Sequence, residues 1–78
     1  MDNIIVRVVE SKPYTGQECN VKARDDNGRL YCLKLVNPPP VNTNISGILR
    51  DRIAGNTEGI TPTQSNIVLV GNTYYWRN

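Results

Sequence analysis

The chain has 78 residues, of which nine are basic and seven acidic, so its net charge at neutral pH is +2. A chain this short builds one modest hydrophobic core, which excludes a multidomain protein and predicts a single domain over residues 1–78. The weak positive charge permits binding to nucleic acid without indicating it, and no apolar run reaches the length of about 18 residues that a membrane span needs.

Three strands are predicted in the first half of the chain. Residues 4–9 form a β-branched run, typical of a strand buried on most of both faces, with Arg7 at an exposed position. After a loop that contains Pro and Gly, residues 17–24 alternate between apolar and polar side chains, and residues 29–36 form the third strand. The segment Asp25-Asp26-Asn27-Gly28 between them is a strong hairpin signal.

Two registers are open to this first hairpin. A two-residue turn would place Lys34 among the buried residues, whereas a three-residue loop with a left-handed Gly28 keeps it outside. We choose the second register because it makes the apolar face continuous. Its cross-strand pairs are Ala23 with Tyr31, Val21 with Leu33 and Cys19 with Leu35.

The chain has two cysteines, Cys19 and Cys32. In the chosen register they point to opposite faces of the hairpin, so we predict two free thiols and not a disulfide. The N-terminus lacks the basic region of a signal peptide, and we therefore expect a cytoplasmic protein without a membrane partner.

One helix is predicted in the middle of the chain. Pro38-Pro39-Pro40 ends the third strand because proline has no backbone N–H to donate. The segment Asn42-Thr43-Asn44 then offers helix-capping side chains, and Gly55 is suited to a helix end. The apolar side chains that recur between them at helical spacing are Ile45, Ile48, Leu49 and Ile53.

A second hairpin is predicted near the C-terminus. Residues 56–64 are rich in Gly, Thr and Pro and predict a loop, after which two short apolar and aromatic runs flank Gly71-Asn72. A two-residue loop with glycine first is typical of a type II′ turn. The expected cross-strand pairs are Leu69 with Tyr74 and Ile67 with Trp76. The chain as a whole predicts an α+β fold: a small, mostly antiparallel five-stranded sheet or partly open barrel with one helix, in the order β-β-β-α-β-β.

The sequence lacks the residues that most kinds of catalysis use. It has no histidine, which removes the usual general base and the commonest zinc ligand. The phosphate-binding motifs Gly-x-x-x-x-Gly-Lys-Ser/Thr and Gly-x-Gly-x-x-Gly are also missing. Asp25 and Asp26 are adjacent carboxylates, but Asp is favoured in hairpin turns for local hydrogen bonding. We predict a non-enzymatic protein with no catalytic residue, no metal and no cofactor.

One segment resembles a known family. Residues 26–35, with the sequence Asp-Asn-Gly-Arg-Leu-Tyr-Cys-Leu-Lys-Leu, look like the second and third strands of the small lobe of HipA-type kinases. The resemblance continues through Arg52-Ile53-Ala54 and Gly59-Ile60-Thr61-Pro62. It implies the β-β-β-α-β-β order and makes Lys34 the counterpart of the lysine that holds ATP phosphates.

Three departures from that family exclude a working kinase. The loop around Gly16 is not glycine-rich, no Glu near Ser46 is available to pair with Lys34, and the chain ends where the catalytic lobe would begin.

The predicted strands bring basic side chains together on one face. Lys22, Arg24 and Lys34 would lie near one another across the first hairpin, with Arg50 on the outer face of the predicted helix. Tyr14 and the segment from Tyr74 to Arg77 are aromatic neighbours. The candidate partner-binding residues are therefore Tyr14, Lys22, Arg24, Lys34, Arg50 and Arg77.

Two functions fit these features. The first is a small binding module that regulates or inhibits a protein partner, a kind of protein frequent among phage and mobile-element products. The alternative is a single-stranded nucleic-acid-binding module, in which cations of the first hairpin contact phosphates and the C-terminal aromatic rings stack on bases. Tyr74 and Trp76 have a second interpretation, because they could instead fill the core while the cations keep the sheet soluble.

Overall fold

The computed structural model describes the backbone of residues 3–16, 18–54 and 57–78, and their side chains except those of residues 50–54. Within these ranges the chain forms eight β-strands and no helix, so the predicted α+β fold is wrong and the protein is all-β. The strands are β1 (Asn3–Ser11), β2 (Val21–Arg24), β3 (Leu30–Leu33), β4 (Leu35–Val36), β5 (Asn44–Ala54), β6 (Thr57–Pro62), β7 (Ile67–Val70) and β8 (Thr73–Trp76).

Five of the strands close into a barrel in the order β1-β2-β3-β6-β5. All neighbours in the barrel are antiparallel except β3 and β6, which are parallel. A closed five-stranded barrel with this crossover is similar in architecture to the five-stranded Greek-key barrel of the OB-fold. The other three strands form a separate sheet in the order β4-β8-β7. None of the described segments forms a helix long and apolar enough to cross a membrane.

The barrel interior follows the period-two alternation of its strands. In β1, Val6 and Val8 are buried, whereas Ile5 and Arg7 face outward. Leu35 and Ile67 extend the core into the three-stranded sheet, and Tyr74 packs against it from β8. The buried apolar side chains are Val6, Val8, Val21, Ala23, Tyr31, Leu33, Leu35, Ile45, Ile60 and Ile67.

The predicted helix is replaced by β5, the longest strand. Its apolar spacing fits a helical face, but β-branched Ile and a central Gly give the segment little intrinsic preference for a helix. Ile45 and Gly47 are buried and alternate with the half-buried Ser46 and Ile48, which is the period of a strand. Pairing with β1 on one side and β6 on the other favours the strand over the helix.

Gly47 shows why the chain needs a glycine inside this strand. A Cβ atom at residue 47 would lie 2.6 Å from the backbone oxygen of Thr61 and 2.7 Å from Cγ1 of Ile60. Strands β5 and β6 therefore approach each other at a point where only a hydrogen fits. The segment 56–64, predicted as a loop, supplies the partner strand β6, so that prediction is also wrong over residues 57–62.

Both hairpins adopt the predicted registers. Gly28 has a φ of 82°, as the three-residue loop requires, and Gly71 has a φ of 64°, as a type II′ turn requires. The third strand is divided, because Lys34 separates β3 from β4. The confirmed pairs are Ala23 with Tyr31, Val21 with Leu33, Leu69 with Tyr74 and Ile67 with Trp76.

The prediction of two free thiols is wrong, because Cys19 and Cys32 form a disulfide with their Cα atoms 5.7 Å apart. The alternation used to orient Cys19 does not reach it, since β2 begins only at Val21. Cys19 lies in the preceding loop, where its side chain can reach the outer face of β3. The expected pair of Cys19 with Leu35 is absent from the described strand pairings for the same reason.

The close approach at Gly47 gives a test of the barrel. We expect Gly47→Ala to lower the free energy of unfolding by about 1 to 3 kcal/mol, because the backbone of β6 must shift to admit the methyl group. Urea denaturation measures this loss. Asn44→Ala, at an exposed position of the same strand, is the control and should change the free energy by less than about 0.5 kcal/mol. Equal stability of the Gly47→Ala variant and the parent chain would show that β5 and β6 are not packed this closely.

Candidate functional site: a cationic face on the barrel wall

Three basic side chains lie together on the outside of β1 and β2. Arg7 and Arg24 are direct cross-strand partners and both are exposed. Lys22 lies on the same side of β2, two residues from Arg24, at a spacing of roughly 7 Å along the strand. Arg7, Lys22 and Arg24 are called the cationic face below.

The two arginines form no ion pair with a described acidic side chain. Among the described side chains, no carboxylate lies within 4.0 Å of either guanidinium group. Arg24 instead donates from Nη1 to the carbonyl oxygen of Gly28 at 2.7 Å. Like charges directly opposite each other across two strands destabilise a sheet, so this pair carries a cost in the isolated chain.

Three other cations of the described chain, Lys12, Lys22 and Arg29, have acidic partners, whereas Lys34 and Arg77 have none within 4.0 Å. The Nε atom of Arg29 lies 3.3 Å from Oε2 of Glu58. Glu10 serves both Lys12, at 3.6 Å, and Lys22, at 4.0 Å, and all three side chains are well exposed. Exposed ion pairs of this kind contribute little to stability. Within the cationic face, Lys22 therefore has a described acidic partner, whereas Arg7 and Arg24 do not.

The surface around the arginines is shallow and mixed. A concavity of about 220 Å³ is lined by both arginines together with Ile5, Val6, Asp25, Asp26 and Asn44. Ile5 is 64% exposed and lies one alternation before Arg7 on the same side of β1. The concavity therefore places two guanidinium groups and two carboxylates beside an exposed aliphatic side chain.

The Asp25 carboxylate accepts hydrogen bonds from its own turn and forms no ion pair with Arg24. Its Oδ1 accepts hydrogen bonds from the backbone N–H groups of Asn27 and Arg29, both at 2.9 Å, and its Oδ2 accepts one from the Tyr31 hydroxyl at 2.9 Å. Burial raises the pKa of Asp25, but the Arg29 N–H, the Tyr31 hydroxyl, the Asn27 N–H and the Arg29 charge together hold it below its usual value. Burial and the nearby Asp25 carboxylate raise the pKa of Tyr31.

The loop between β1 and β2 borders the cationic face on the lysine side. Asn20, only 3% exposed, fixes the end of this loop. Its Nδ2 donates to the carbonyl oxygens of Leu35, at 2.8 Å, and Lys12, at 3.0 Å, and its Oδ1 accepts from the Leu35 N–H at 2.9 Å. The Cys19–Cys32 disulfide holds the same loop against β3, where Cys32 is the direct partner of Lys22.

The structure brings together only part of the predicted site. Lys22 and Arg24 share one face, as expected. Lys34 is exposed between β3 and β4, two residues beyond Cys32, the cross-strand partner of Lys22, and Arg77 is exposed after β8. Lys34 is level with the first residue of β8, so it lies roughly 13 Å along the sheet from Arg77. The side chain of Arg50, on β5 and not on a helix, lies outside the described residues.

The aromatic side chains do not line the cationic face. Tyr74 and Trp76 are half-buried and pack against the core, which is the second of the two interpretations given to them. Tyr14 is half-buried in the loop before β2, where its hydroxyl lies 3.4 Å from the Gly16 carbonyl oxygen. Trp76 and Arg77 instead border a separate groove with Asn37, Pro38 and Asn78.

Arg7 is the member of the cationic face that sequence reasoning missed. Its exposure was predicted, but its position opposite Arg24 depends on the register between β1 and β2. A loop of nine residues joins these strands, and the register shifts between Val8 and Glu10. No short turn fixes such a register, so the sequence offers no signal for this pair.

The Asp25 turn makes stability depend on pH in a defined direction. Because the pKa of Asp25 is lower in the folded chain than its ordinary value of 3.8, Asp25 stabilises the fold above pH 3.8. This contribution to the free energy of unfolding is lost as the pH falls below 3.8. Because the pKa of Tyr31 is raised, its contribution is present below 10.0 and is lost at higher pH. Unfolding curves of the parent chain and Asp25→Asn from neutral to acidic pH should therefore converge in acid. Asp26→Asn, which removes an equal charge outside these hydrogen bonds, is the matched control, and parallel curves for parent and Asp25→Asn would contradict the assignment.

The disulfide should stabilise the loop and the barrel together. Closing a loop of this size by a disulfide contributes about 2 to 3 kcal/mol. We expect the free energy of unfolding to fall by that amount when a reductant is added, and Cys19→Ser/Cys32→Ser to be insensitive to the reductant. Chemical denaturation of both proteins measures the difference. An intact mass equal to that of the dithiol form, measured on protein never exposed to reductant, would refute the disulfide.

Comparison of the chain with protein-family models, with curated proteins and with solved structures found no match. The resemblance to the small lobe of HipA-type kinases therefore stays a prediction. The same holds for the expected absence of enzymatic activity.

Proposed function

We propose that this protein binds single-stranded nucleic acid on its cationic face. The observation that carries the proposal is the direct opposition of Arg7 and Arg24, with no carboxylate of the described side chains within 4.0 Å of either guanidinium group. An unfavourable arrangement of this kind is expected at functional sites, where a ligand relieves it. A phosphate placed between two guanidinium groups would accept charge-assisted hydrogen bonds from both.

A polymer of phosphates fits this face better than a single anion. Lys22 continues the positive charge along β2, so successive phosphates have successive cations to contact. Ile5 and Val9, which are 64% and 40% exposed, supply apolar contacts beside the charges. Duplex DNA is read mainly by an element that enters a groove, whereas these residues lie on a barrel wall, which suits a flexible single strand.

The architecture gives an independent argument by analogy. OB-fold barrels commonly bind oligonucleotides or oligosaccharides on the face of their second and third strands, with the adjoining loops. Here β2 carries two residues of the cationic face, and the loop before it borders that face. Fold alone does not establish function, so the arginine pair carries the proposal and the fold supports it.

The proposal is tested by fluorescence anisotropy of a labelled oligothymidylate in low and moderate salt. We expect Arg7→Ala/Arg24→Ala to weaken binding roughly ten- to a hundredfold, because two charge-assisted contacts are lost. The slope of log affinity against log salt should become shallower by about 0.7, because the two arginines share one phosphate and each single-strand phosphate contact contributes about 0.7.

Arg77→Ala removes one positive charge away from the cationic face and is the matched control. It should weaken binding far less than the double variant does. An absence of salt-dependent binding by the parent chain, or an equal loss in the control, would refute the proposed site.

A protein partner is the second candidate, and the composition of the same face favours it. Arginine beside exposed aliphatic side chains, here Arg7 between Ile5 and Val9, is typical of the centre of protein interfaces. A regulator or inhibitor would use this face to cover a site on its target. The oligonucleotide titration separates the two functions, because a protein-binding face would give no salt-dependent affinity for oligothymidylate.

The cytoplasmic location is also a proposal. The Cys19–Cys32 disulfide bears on it, because disulfides persist mainly in oxidising compartments. Trapping of free thiols in intact cells, followed by mass analysis, would show whether the disulfide is present there; two free thiols would support the cytoplasmic location.

A further inference from the structure

The three-stranded sheet has two edge strands, β4 and β7, which differ in the hydrogen-bond partners of their outward-facing backbone groups. At the β4 edge, Asn20 uses its carboxamide to bond both the N–H and the carbonyl oxygen of Leu35. At the other edge lies β7, whose only strand partner in the described chain is β8. The closed barrel has no edge of its own, so β7 is the place where a further strand could be added.

The alternation of the hairpin shows which backbone groups of β7 are free. In a hairpin with a two-residue loop, Val70 and Thr73 exchange hydrogen bonds, and every second residue of β7 then bonds to β8. Leu69 is not in that set, so its N–H and carbonyl oxygen point away from β8. Neither group has a backbone partner within the described residues. The N–H of Ile67 also points away from β8, but it donates a hydrogen bond to the Gln64 carbonyl oxygen at 3.2 Å.

The β7 edge has only one of the features that usually prevent strand pairing, its length of four residues. Natural edge strands are very short, carry charges, prolines or bulges, or are covered by another segment. Residues 67–70 are Ile-Val-Leu-Val, paired with β8 without a register shift. Leu69 and Val70 are 54% and 60% exposed, so apolar side chains flank the free backbone groups.

We propose that β7 pairs with β7 of a second copy of this chain, in an antiparallel dimer whose twofold axis passes at Leu69. In that arrangement the Leu69 N–H of each copy donates to the Leu69 carbonyl oxygen of the other, which is a hydrogen-bonded antiparallel pair. Val68 of one copy then lies opposite Val70 of the other. Two three-stranded sheets become one six-stranded sheet.

A second copy fits this edge for reasons of charge and symmetry. The strand is uncharged, so two copies meet without repulsion, and an apolar strand presents an apolar strand to its twin. A twofold interface is self-complementary, as pairing of β7 with itself requires. The contact also covers Leu69 and Val70, which are exposed in the single chain. The cationic face plays no part in it, so the dimer and the proposed nucleic-acid binding stand or fall separately.

Analytical ultracentrifugation over a range of protein concentrations, without nucleic acid, tests the dimer. We expect the parent chain to change from one to two copies as concentration rises. Leu69→Lys should raise the dissociation constant at least about tenfold, because two ammonium groups would face each other across the axis. Val41→Lys introduces the same charge at a residue that is 49% exposed outside β7, and it should dimerise like the parent.

Hydrogen exchange of backbone amides provides a second measurement that does not depend on a substitution. The Leu69 amide should become protected as the protein concentration rises, while the Ile67 amide, already bonded within the chain, should change little. A parent chain that remains a single copy at millimolar concentration would overturn the proposal, and this includes the case in which β7 serves a strand of another protein. A dimer that Leu69→Lys leaves intact would overturn it as well.

Discussion

Closure of the barrel by the parallel pairing of β3 with β6 is the constraint on which the rest of the structure depends. These strands are joined by Leu30 to Thr57, Tyr31 to Glu58 and Cys32 to Gly59, pairs far apart in the chain. Once they pair, β5 must lie between β6 and β1, and its side of the barrel closes over Ile45 and Ile60. The absence of a Cβ at Gly47 allows β5 and β6 to approach closely enough for this.

Closure of the barrel also determines which side chains lie on its outer wall. With Val6 and Val8 directed inward, the alternation of β1 leaves Arg7 no position but the outer wall, where the register with β2 sets it opposite Arg24. The fold therefore creates a concentration of positive charge that neither strand has alone. The Asp25 carboxylate accepts hydrogen bonds within its own turn and forms no ion pair with Arg24, so an external anion is the partner that we propose for the cationic face.

Features set by local interactions could be predicted from the sequence, and features set by distant pairing could not. Turn chemistry around Gly28 and Gly71 fixes both hairpin registers, and those predictions are confirmed. The segment 44–54 has apolar spacing that fits a helix as well as a strand, and only pairing with β1 and β6 resolves it. The disulfide was missed because Cys19 lies before the regular part of β2, where alternation no longer orients side chains. For the site, Lys22 and Arg24 follow from one strand, whereas Arg7 joins them through a register that a long loop leaves open.

The most direct test of the cationic face is an amide chemical-shift titration of the isotope-labelled protein with oligothymidylate. If the barrel wall binds single strands, the largest shifts will map to β1 and β2 around Arg7, Lys22 and Arg24, with small changes in β7 and β8. Shifts confined to the three-stranded sheet, or no shifts at concentrations where the strand is in excess, would contradict the account.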